Sequence, residues 1–402
     1  MIATLDDLDA AGTVVGLRVD INSPVDADGR LLDDSRIRAH VGTISSLLER
    51  NARVALLAHQ GRPGGDSFTT LEPHADRLNE LLDAPVEYVD ETHGTSARAA
   101  IADLTDGTCV VLENTRFYSE EYMEFDSADA ATTHLVERLA PVLDVYVNDA
   151  FAAAHRSQPS IVGFPHVLPS YAGQVMEREL AVLDDIESTT CPRTYVLGGA
   201  KVSGSIDAAR DVLERDLADT VLTAGVVGNV FLVADDHDVG KASTDFIYDQ
   251  GYWDEIDRAA ALLEEYGDRI EYPRDVAVER NGDRVELPVG EMPPADDEPA
   301  MDVGTETLAA YEEILEESET VILNGPAGVY ENETFAEGTQ SLYRAAATVE
   351  TSIVGGGDTA SAMNALGIDG FTHVSTGGGA ALALLTGDTL PAVCALDNAP
   401  VS

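Results

Sequence analysis

Short apolar runs rich in β-branched residues recur along the chain: "TVVGLRV", "RVALLAH", "TCVVLEN", "VYVNDAF", "TYVLGG", "TVLTAG", "TVILNG", "TSIVGGG" and "THVSTGGG". Between them lie segments with apolar residues at helical spacing, among them "DSRIRAHVGTISSLLER", "TLEPHADRLNELLD" and "ATTHLVERLA". Strand alternating with helix at this rhythm predicts parallel sheets covered on both faces. No fixed-period repeat or low-complexity segment interrupts the pattern. At 402 residues the chain exceeds the size at which a single core stops growing. The expected fold is therefore α/β, with two doubly wound, Rossmann-like parallel-sheet domains.

The strand ends fall into two groups. Up to about residue 165 they run into polar or charged residues: Asp20 and Asn22, His59 and Arg62, Asn114 and Arg116, Asn148 and Asp149. Beyond it they run mostly into glycines, at Gly198–Gly199, Gly225, Gly325–Gly328, Gly355–Gly357 and Gly377–Gly379. Between the groups, "GFPHVLPSYAGQVMERELAVLDDIE" is rich in Pro and Gly and leads into an amphipathic helix. It reads as a hinge separating a domain 1–166 from a domain 167–387. The stretch "PVGEMPPADDEPAMDVGTE" reads as a surface loop within the second half. Open parallel sheets bind ligands outside the carboxyl ends of their strands, so two kinds of strand end imply two ligands facing each other across a cleft.

Composition narrows the class. Hydrophobic residues at 44% and charged residues at 24% fit a globular protein and exclude a disordered one. No apolar run approaches the roughly 20 residues that span a bilayer, and the acidic start "MIATLDDLDA" is unlike a signal peptide. Cys109, Cys191 and Cys394 are widely spaced and suggest neither a disulfide framework nor a metal site. The expected location is the cytoplasm. A net charge of −49, with the acids spread along the chain, repels nucleic acid and anionic membranes. It fits a solvated surface in a salty, halophilic cytoplasm. Lysine occurs only twice, at Lys201 and Lys241.

Against this field the placement of cations is informative. Arg36 and Arg38 open a helix; His59 and Arg62 lie in "AHQGRPGG", Arg116 in "LENTRF", His155 and Arg156 in "DAFAAAHRSQ". Any one of these alone reads as a surface ion pair. Together, at strand ends and loops, they read as a site whose guanidinium forks hold a small polyanion. Asp20 and Asn22 in "RVDINSP" are either turn residues before Pro24 or contacts to the same ligand. His74, His93 and His134 lack metal spacing and read as surface or helix residues. In the second half, "ILNGPAGVYENETF" and "VGGGDTASAM" offer main-chain N–H groups to phosphate, with a helix opening at Asp358–Thr359. Asp358 is either a helix N-cap or a Mg²⁺ carboxylate beside those phosphates. A Walker P-loop, a dinucleotide fingerprint, a nucleophile elbow and a protein-kinase signature are all absent from the sequence. The missing fingerprint disfavours a dehydrogenase.

In this order the motifs "LRVDINSP", "SRIRA", "AHQGRP", "LENTRF", "VNDAFAAAHR", "LGGAKVSGS", "NGPAGVYE", "GGGDT" and "STGGGA" resemble those of the phosphoglycerate kinases, over essentially the whole chain. The resemblance implies transfer of phosphate between 1,3-bisphosphoglycerate and ADP, giving 3-phosphoglycerate and ATP with Mg²⁺ on the nucleotide. It implies direct in-line transfer, closure about the hinge, a monomer, and a segment 388–402 that packs back on the first domain. Phosphoglycerate binding falls on Asp20, Ile21, Asn22, Arg36, His59, Gln60, Gly61, Arg62, Arg116 and Arg156. The nucleotide and metal fall on Gly199, Lys201, Asn324, Glu331, Gly356, Gly357, Asp358 and Thr359, with Asp358 on Mg²⁺. Arg36 and Lys201 carry the catalytic charge. The alternative is a non-catalytic anion-binding protein that retains the fold. One departure stands out: where many family members have a second lysine, four residues after the first, this chain has Ser205. Serine supplies a hydrogen bond but no charge, and Lys241 sits in what reads as a surface turn.

Overall fold

The computed structural model describes residues 2–183, 186–375 and 377–400, apart from the side chain of Glu187. Asp184 and Asp185 of the expected hinge, Thr376 of "STGGGA", and residues 401–402 of the returning segment lie outside the described residues. The chain divides into two compact units, Met1–Ala181 with Thr389–Ser402, and Val182–Asp388.

The first unit is built on β1 (Val14–Arg18), β2 (Arg53–Leu57), β3 (Val86–Val89), β4 (Cys109–Leu112), β5 (Val145–Asn148) and β6 (Ser170–Ala172). All pair in parallel, in the order β3-β4-β2-β1-β5-β6. Alternate residues of each strand serve opposite faces, as the pleat requires. Val15, Leu17, Val54, Leu56 and Val147 pack with Ile37, Ile44 and Leu47 of the helix Ser35–Glu49 and Leu78 of the helix Glu72–Leu81. Val14, Ala55, Leu57, Val110 and Tyr146 pack on the other side with Ile101, Leu135 and Leu139. Both faces are therefore dry, which explains strands that read as continuous apolar runs. The stretch expected to form the hinge contains β6 and the helix Gln174–Leu183. Three residues of strand, "SYA", are too few for a periodicity to stand out.

The second unit adds β7 (Arg193–Leu197), β8 (Thr220–Thr223), β9 (Ile270–Glu271), β10 (Asp275–Arg280), β11 (Asp283–Pro288), β12 (Ala300–Val303), β13 (Thr320–Asn324), β14 (Thr351–Gly355) and β15 (His373–Val374). Six form a parallel sheet ordered β15-β14-β13-β7-β8-β9; the others form a small antiparallel sheet, β11-β10-β12. The expectation of a surface loop over 288–306 is thus corrected at its C-terminal end. Residues 300–303 are a strand, and Asp302 and Val303 are buried. Proline and acidic residues on either side hide this strand, and the Asp302 carboxylate is buried because Arg284 and the Gly338 N–H bind it at 2.8 and 2.9 Å.

His74 also departs from expectation. It lies in the helix Glu72–Leu81 but is fully buried, its Nε2 3.1 Å from Gln60 Oε1. His93 is likewise buried, with its ring against Tyr118. Burial holds the His74 imidazole down, to about 4, with the Ile21 main chain and Glu113 opposing weakly. The folded chain therefore keeps this ring neutral where the unfolded chain, near 6.5, takes a proton. Stability is complete above about pH 6.5 and declines as pH falls toward 4, by up to about 3 kcal/mol from this group. We expect proton uptake on unfolding near pH 5, at fixed salt, to be about one proton smaller in His74→Leu than in the wild type. Equal uptake would contradict the assignment.

Candidate active site

Each parallel sheet has one place where the chain reverses its direction of winding. In the first unit β1 lies between β2 and β5; in the second β7 lies between β13 and β8. The carboxyl ends of these strands open a crevice in which α/β sheets hold ligands. Each set of candidate residues lies along the carboxyl edge of its own sheet.

At the first edge, Asp20 and Asn22 follow β1, His59 to Arg62 follow β2, Arg116 follows β4, and Arg156 follows the short turn after β5. Arg36, at the start of its helix, is ion-paired with Asp20. Asn22 Oδ1 accepts the Gly61 N–H at 2.9 Å, joining the two loops. Arg116 is buried; its Nη1 donates to the Gly61 carbonyl at 2.8 Å, and its guanidinium lies 5.5 Å from the centre of the Tyr122 ring. Arg156 Nε reaches His155 at 3.3 Å, and Arg62 is exposed. Among the described residues, Arg62, Arg116 and Arg156 have no carboxylate within ion-pair distance. Arg38 does not join them, since it pairs with Asp34 at 2.9 Å.

Sequence reasoning missed the residue behind this cluster. Arg18, at the end of β1, is buried; it donates to Ser160 Oγ at 3.0 Å and to His59 Nδ1 at 2.9 Å. An arginine can only donate, so His59 Nδ1 is the acceptor and its proton sits on Nε2. His59 is held far below its usual range, first by burial and then by Arg18, Arg116, Arg156 and Arg36. The same crowding lowers Arg116 to about 10, through burial and then repulsion from Arg156 and Arg18. Arg156 is lowered for similar reasons, with Asp20 opposing. The only sequence signal for Arg18 was a charge inside an otherwise apolar strand.

Ile21 and Gln60 are placed differently. Ile21 is fully buried, and the Gln60 side chain bonds Ser23, Ser67 and His74. Its main-chain N–H and carbonyl both bond Asn114, whose amide also reaches Thr69. These side chains fix the loops from behind.

At the second edge three glycine loops meet main chain to main chain. Gly198 N–H donates to the Asn324 carbonyl at 2.8 Å and Gly199 N–H to the Pro326 carbonyl at 2.7 Å. Gly325 has φ +91°, and a Cβ there would lie 2.2 Å from the Gly198 oxygen. Gly356, at φ +95°, precedes the helix Gly357–Leu366; a Cβ there would lie 2.5 Å from Asn324 Oδ1. Thr359 is buried, its hydroxyl accepting the Gly325 N–H at 2.7 Å. Gly357 and Asp358 are exposed on the first turn. Lys201 Nζ reaches Asp358 Oδ2 at 2.7 Å, with both side chains mostly exposed. Beside them lies a cavity of about 270 Å³ walled by Val226, Met301, Val303, Pro326 and Tyr330, with Glu331 and Asp358 also lining it. Asp302 stands in its wall, its carboxyl raised by burial to about 6 against Arg284 and main-chain N–H groups. Glycine at 328 and 338 leaves it room, since a Cβ at either would lie within 2.3 Å of Asp302 Oδ1. Among the described residues no three His, Cys, Asp or Glu side chains converge on a metal position. A single accessible carboxylate at Asp358 fits Mg²⁺ arriving on nucleotide phosphates.

Residues 5–388 match the family described as phosphoglycerate kinase. The phosphoglycerate kinase of Halobacterium salinarum is 61% identical over 395 residues, covering 98% of this chain and 99% of that one. That of Natronomonas pharaonis is 61% identical over 398 residues, covering 98% and 100%. The crystal structure of phosphoglycerate kinase from Pyrococcus horikoshii OT3 superposes with a TM-score of 0.92 at 41% identity, covering 99% of both chains. This chain belongs to the phosphoglycerate kinase family. It is an ATP-dependent phosphotransferase of the reversible glycolytic step, using Mg²⁺. No described helix is long and apolar enough to cross a membrane.

Ser205 does not stand in for the second lysine of other members. It is buried in the helix Val202–Glu214, its N–H bonded to the Lys201 carbonyl at 3.2 Å. Lys241 lies in the helix Gly240–Asp249 rather than in a turn, paired with Asp245 one helical turn on. That pairing raises its pKa.

The interlocked glycines make a simple prediction. Gly325→Ala places a Cβ in a left-handed conformation and against a carbonyl oxygen, which costs roughly 2 kcal/mol or more. The expected result is a clearly lowered melting temperature; an unchanged one would refute the interlock.

Proposed function

We propose that the unit Met1–Ala181 with Thr389–Ser402 binds the phosphoglycerate and that Val182–Asp388 binds the nucleotide. The observation that carries this reading is the set Arg62, Arg116 and Arg156 at the first sheet edge, which among the described residues have no carboxylate partner in a chain of net charge −49. Arg62, Arg116 and Arg156 clamp the phosphate and carboxylate oxygens, and His59 offers Nε2–H. Asp20 and Asn22 take the hydroxyl while orienting Arg36 and Gly61. Ile21 and Gln60 hold the loops that carry these groups.

In the second unit, Gly356 and Gly357 present main-chain N–H groups to the phosphates, at a helix start whose dipole favours anions, and Gly199 holds the adjoining loop through its N–H bond to the Pro326 carbonyl. Asn324 and Thr359 fix those loops, and Glu331 reaches the ribose. Asp358 would hold Mg²⁺, which would neutralise phosphate charge when bound. Lys201, 2.7 Å from Asp358 Oδ2, brings its ammonium to the transferring group. No side chain in either set is an activated nucleophile, so transfer is direct and catalysis consists of positioning and charge stabilisation. Arg36 and Lys201 carry the catalytic charge. We further read the acidic surface as a halophilic adaptation of a monomeric, cytoplasmic enzyme.

Arg36→Ala is expected to lower kcat by orders of magnitude with an unchanged melting temperature, in a coupled assay of ATP formation across a salt range. Wild-type kcat in that variant would remove Arg36 from the catalytic set. Arg116→Ala should raise KM for 3-phosphoglycerate at least tenfold and leave KM for ATP unchanged, a split that a purely structural arginine would not produce.

A further inference from the structure

Asp149, just past the end of β5, is fully buried. Its Oδ1 accepts the Val175 N–H at 2.8 Å, in the first turn of the helix Gln174–Leu183. Gly173 leaves room for this carboxylate, since a Cβ there would lie 2.2 Å from Oδ1. Asp149 Oδ2 lies 2.7 Å from Nδ1 of His40, which is also buried. A carboxylate sunk in the interior is unfavourable without such donors. It also fixes the imidazole: an acceptor at Nδ1 holds a proton there and leaves Nε2 for another contact. Nε2 meets the main chain of Asp20, 3.2 Å from its nitrogen and 3.1 Å from its carbonyl oxygen. Whichever charge the ring carries, Nε2 has its partner on that one residue.

Asp20 lies two residues past β1, where the sheet ladder has ended. Among the described residues no main-chain group bonds its N–H or its carbonyl. Its carboxylate pairs with Arg36 through Oδ2 and accepts the Asn22 N–H at 3.3 Å through Oδ1. Arg36 and His40 stand four residues apart in the helix Ser35–Glu49, hence on one face. That face grips Asp20 twice, by its carboxylate and by its main chain.

We propose that His40 is a positioning residue for the phosphoglycerate site: oriented by Asp149, it fixes the main chain of Asp20 and with it the aim of Arg36. The inference rests on the reading that Asp20 and Arg36 meet the phosphoglycerate. Without the imidazole, the Asp20 peptide is free to turn, and the carboxylate that orients Arg36 turns with it. Asn22 carries the disturbance to Gly61, whose N–H it holds. Small displacements of groups aimed at reacting atoms cost rate out of proportion to their size.

Two amide variants separate this role from a purely structural one. In His40→Asn the amide stands where Nδ1 was, keeping a bond to Asp149 and losing Asp20. In His40→Gln it stands where Nε2 was, keeping Asp20 and losing Asp149. Melting temperature should follow the Asp149 bond and fall further in His40→Gln, where a buried carboxylate loses a donor. Catalysis should follow the Asp20 bond instead. His40→Asn is expected to lower kcat/KM for 3-phosphoglycerate roughly tenfold or more, with KM for ATP unchanged. His40→Gln should stay close to wild type in both. An unchanged kcat/KM in His40→Asn overturns the inference, even if His40→Gln fails to fold. So does a kcat/KM that falls in step with melting temperature across the two variants. The underlying reading fails separately: it falls if Asp20→Asn leaves KM for 3-phosphoglycerate at its wild-type value.

Discussion

Mutual repulsion among the arginines at the edge of the first sheet is the constraint on which the site depends. Arg18, Arg36, Arg62, Arg116 and Arg156 act on one another and on His59, with Asp20 as the paired carboxylate. In a chain so rich in acid, pairing each arginine with a carboxylate would be the easy arrangement, but it would occupy the forks an anion needs. The cations are held instead by groups that bear no full charge: the Gly61 carbonyl, Ser160, the Tyr122 ring and neutral His59. The result is a local field poised to be relieved by a small polyanion, with burial strengthening every term.

The edge of the second sheet carries fewer charges than that of the first. Ser205 is buried and Lys241 is tied to Asp245, which leaves Lys201 as the lysine at the glycine loops. The helix start after Gly356 adds its main-chain dipole there, on loops that Gly198 and Gly325 interlock. Such dipoles are fixed by the fold and need no reorganisation when charge moves. They are also indifferent to the high salt that an acidic surface suggests, because their geometry does not rest on exposed ion pairs.

Much of this was legible in the chain. The nine quoted apolar runs all became strands, because parallel strands with two dry faces show as unbroken β-branched stretches. The polar and glycine strand ends marked the two edges for the same reason. What stayed hidden were short or partnered features. β6 is too brief for a period, and the acidic residues around β12 resemble a loop until Arg284 is seen to bury Asp302. His74 looked like an ordinary helix residue, since only packing against Gln60 shows that its face is interior.

The sequence by itself determined where cations stand against a strong acidic field and where glycines end the strands, since these are local facts of composition and order. It could not show which of those side chains spend their hydrogen bonds on protein. Arg18, Asn114 and Thr359 bear polar groups as conspicuous as those of Arg116 or Asp358, yet their hydrogen bonds end on protein. The tertiary structure decided this, because hydrogen-bond partners far apart in the chain are set by strand order and register.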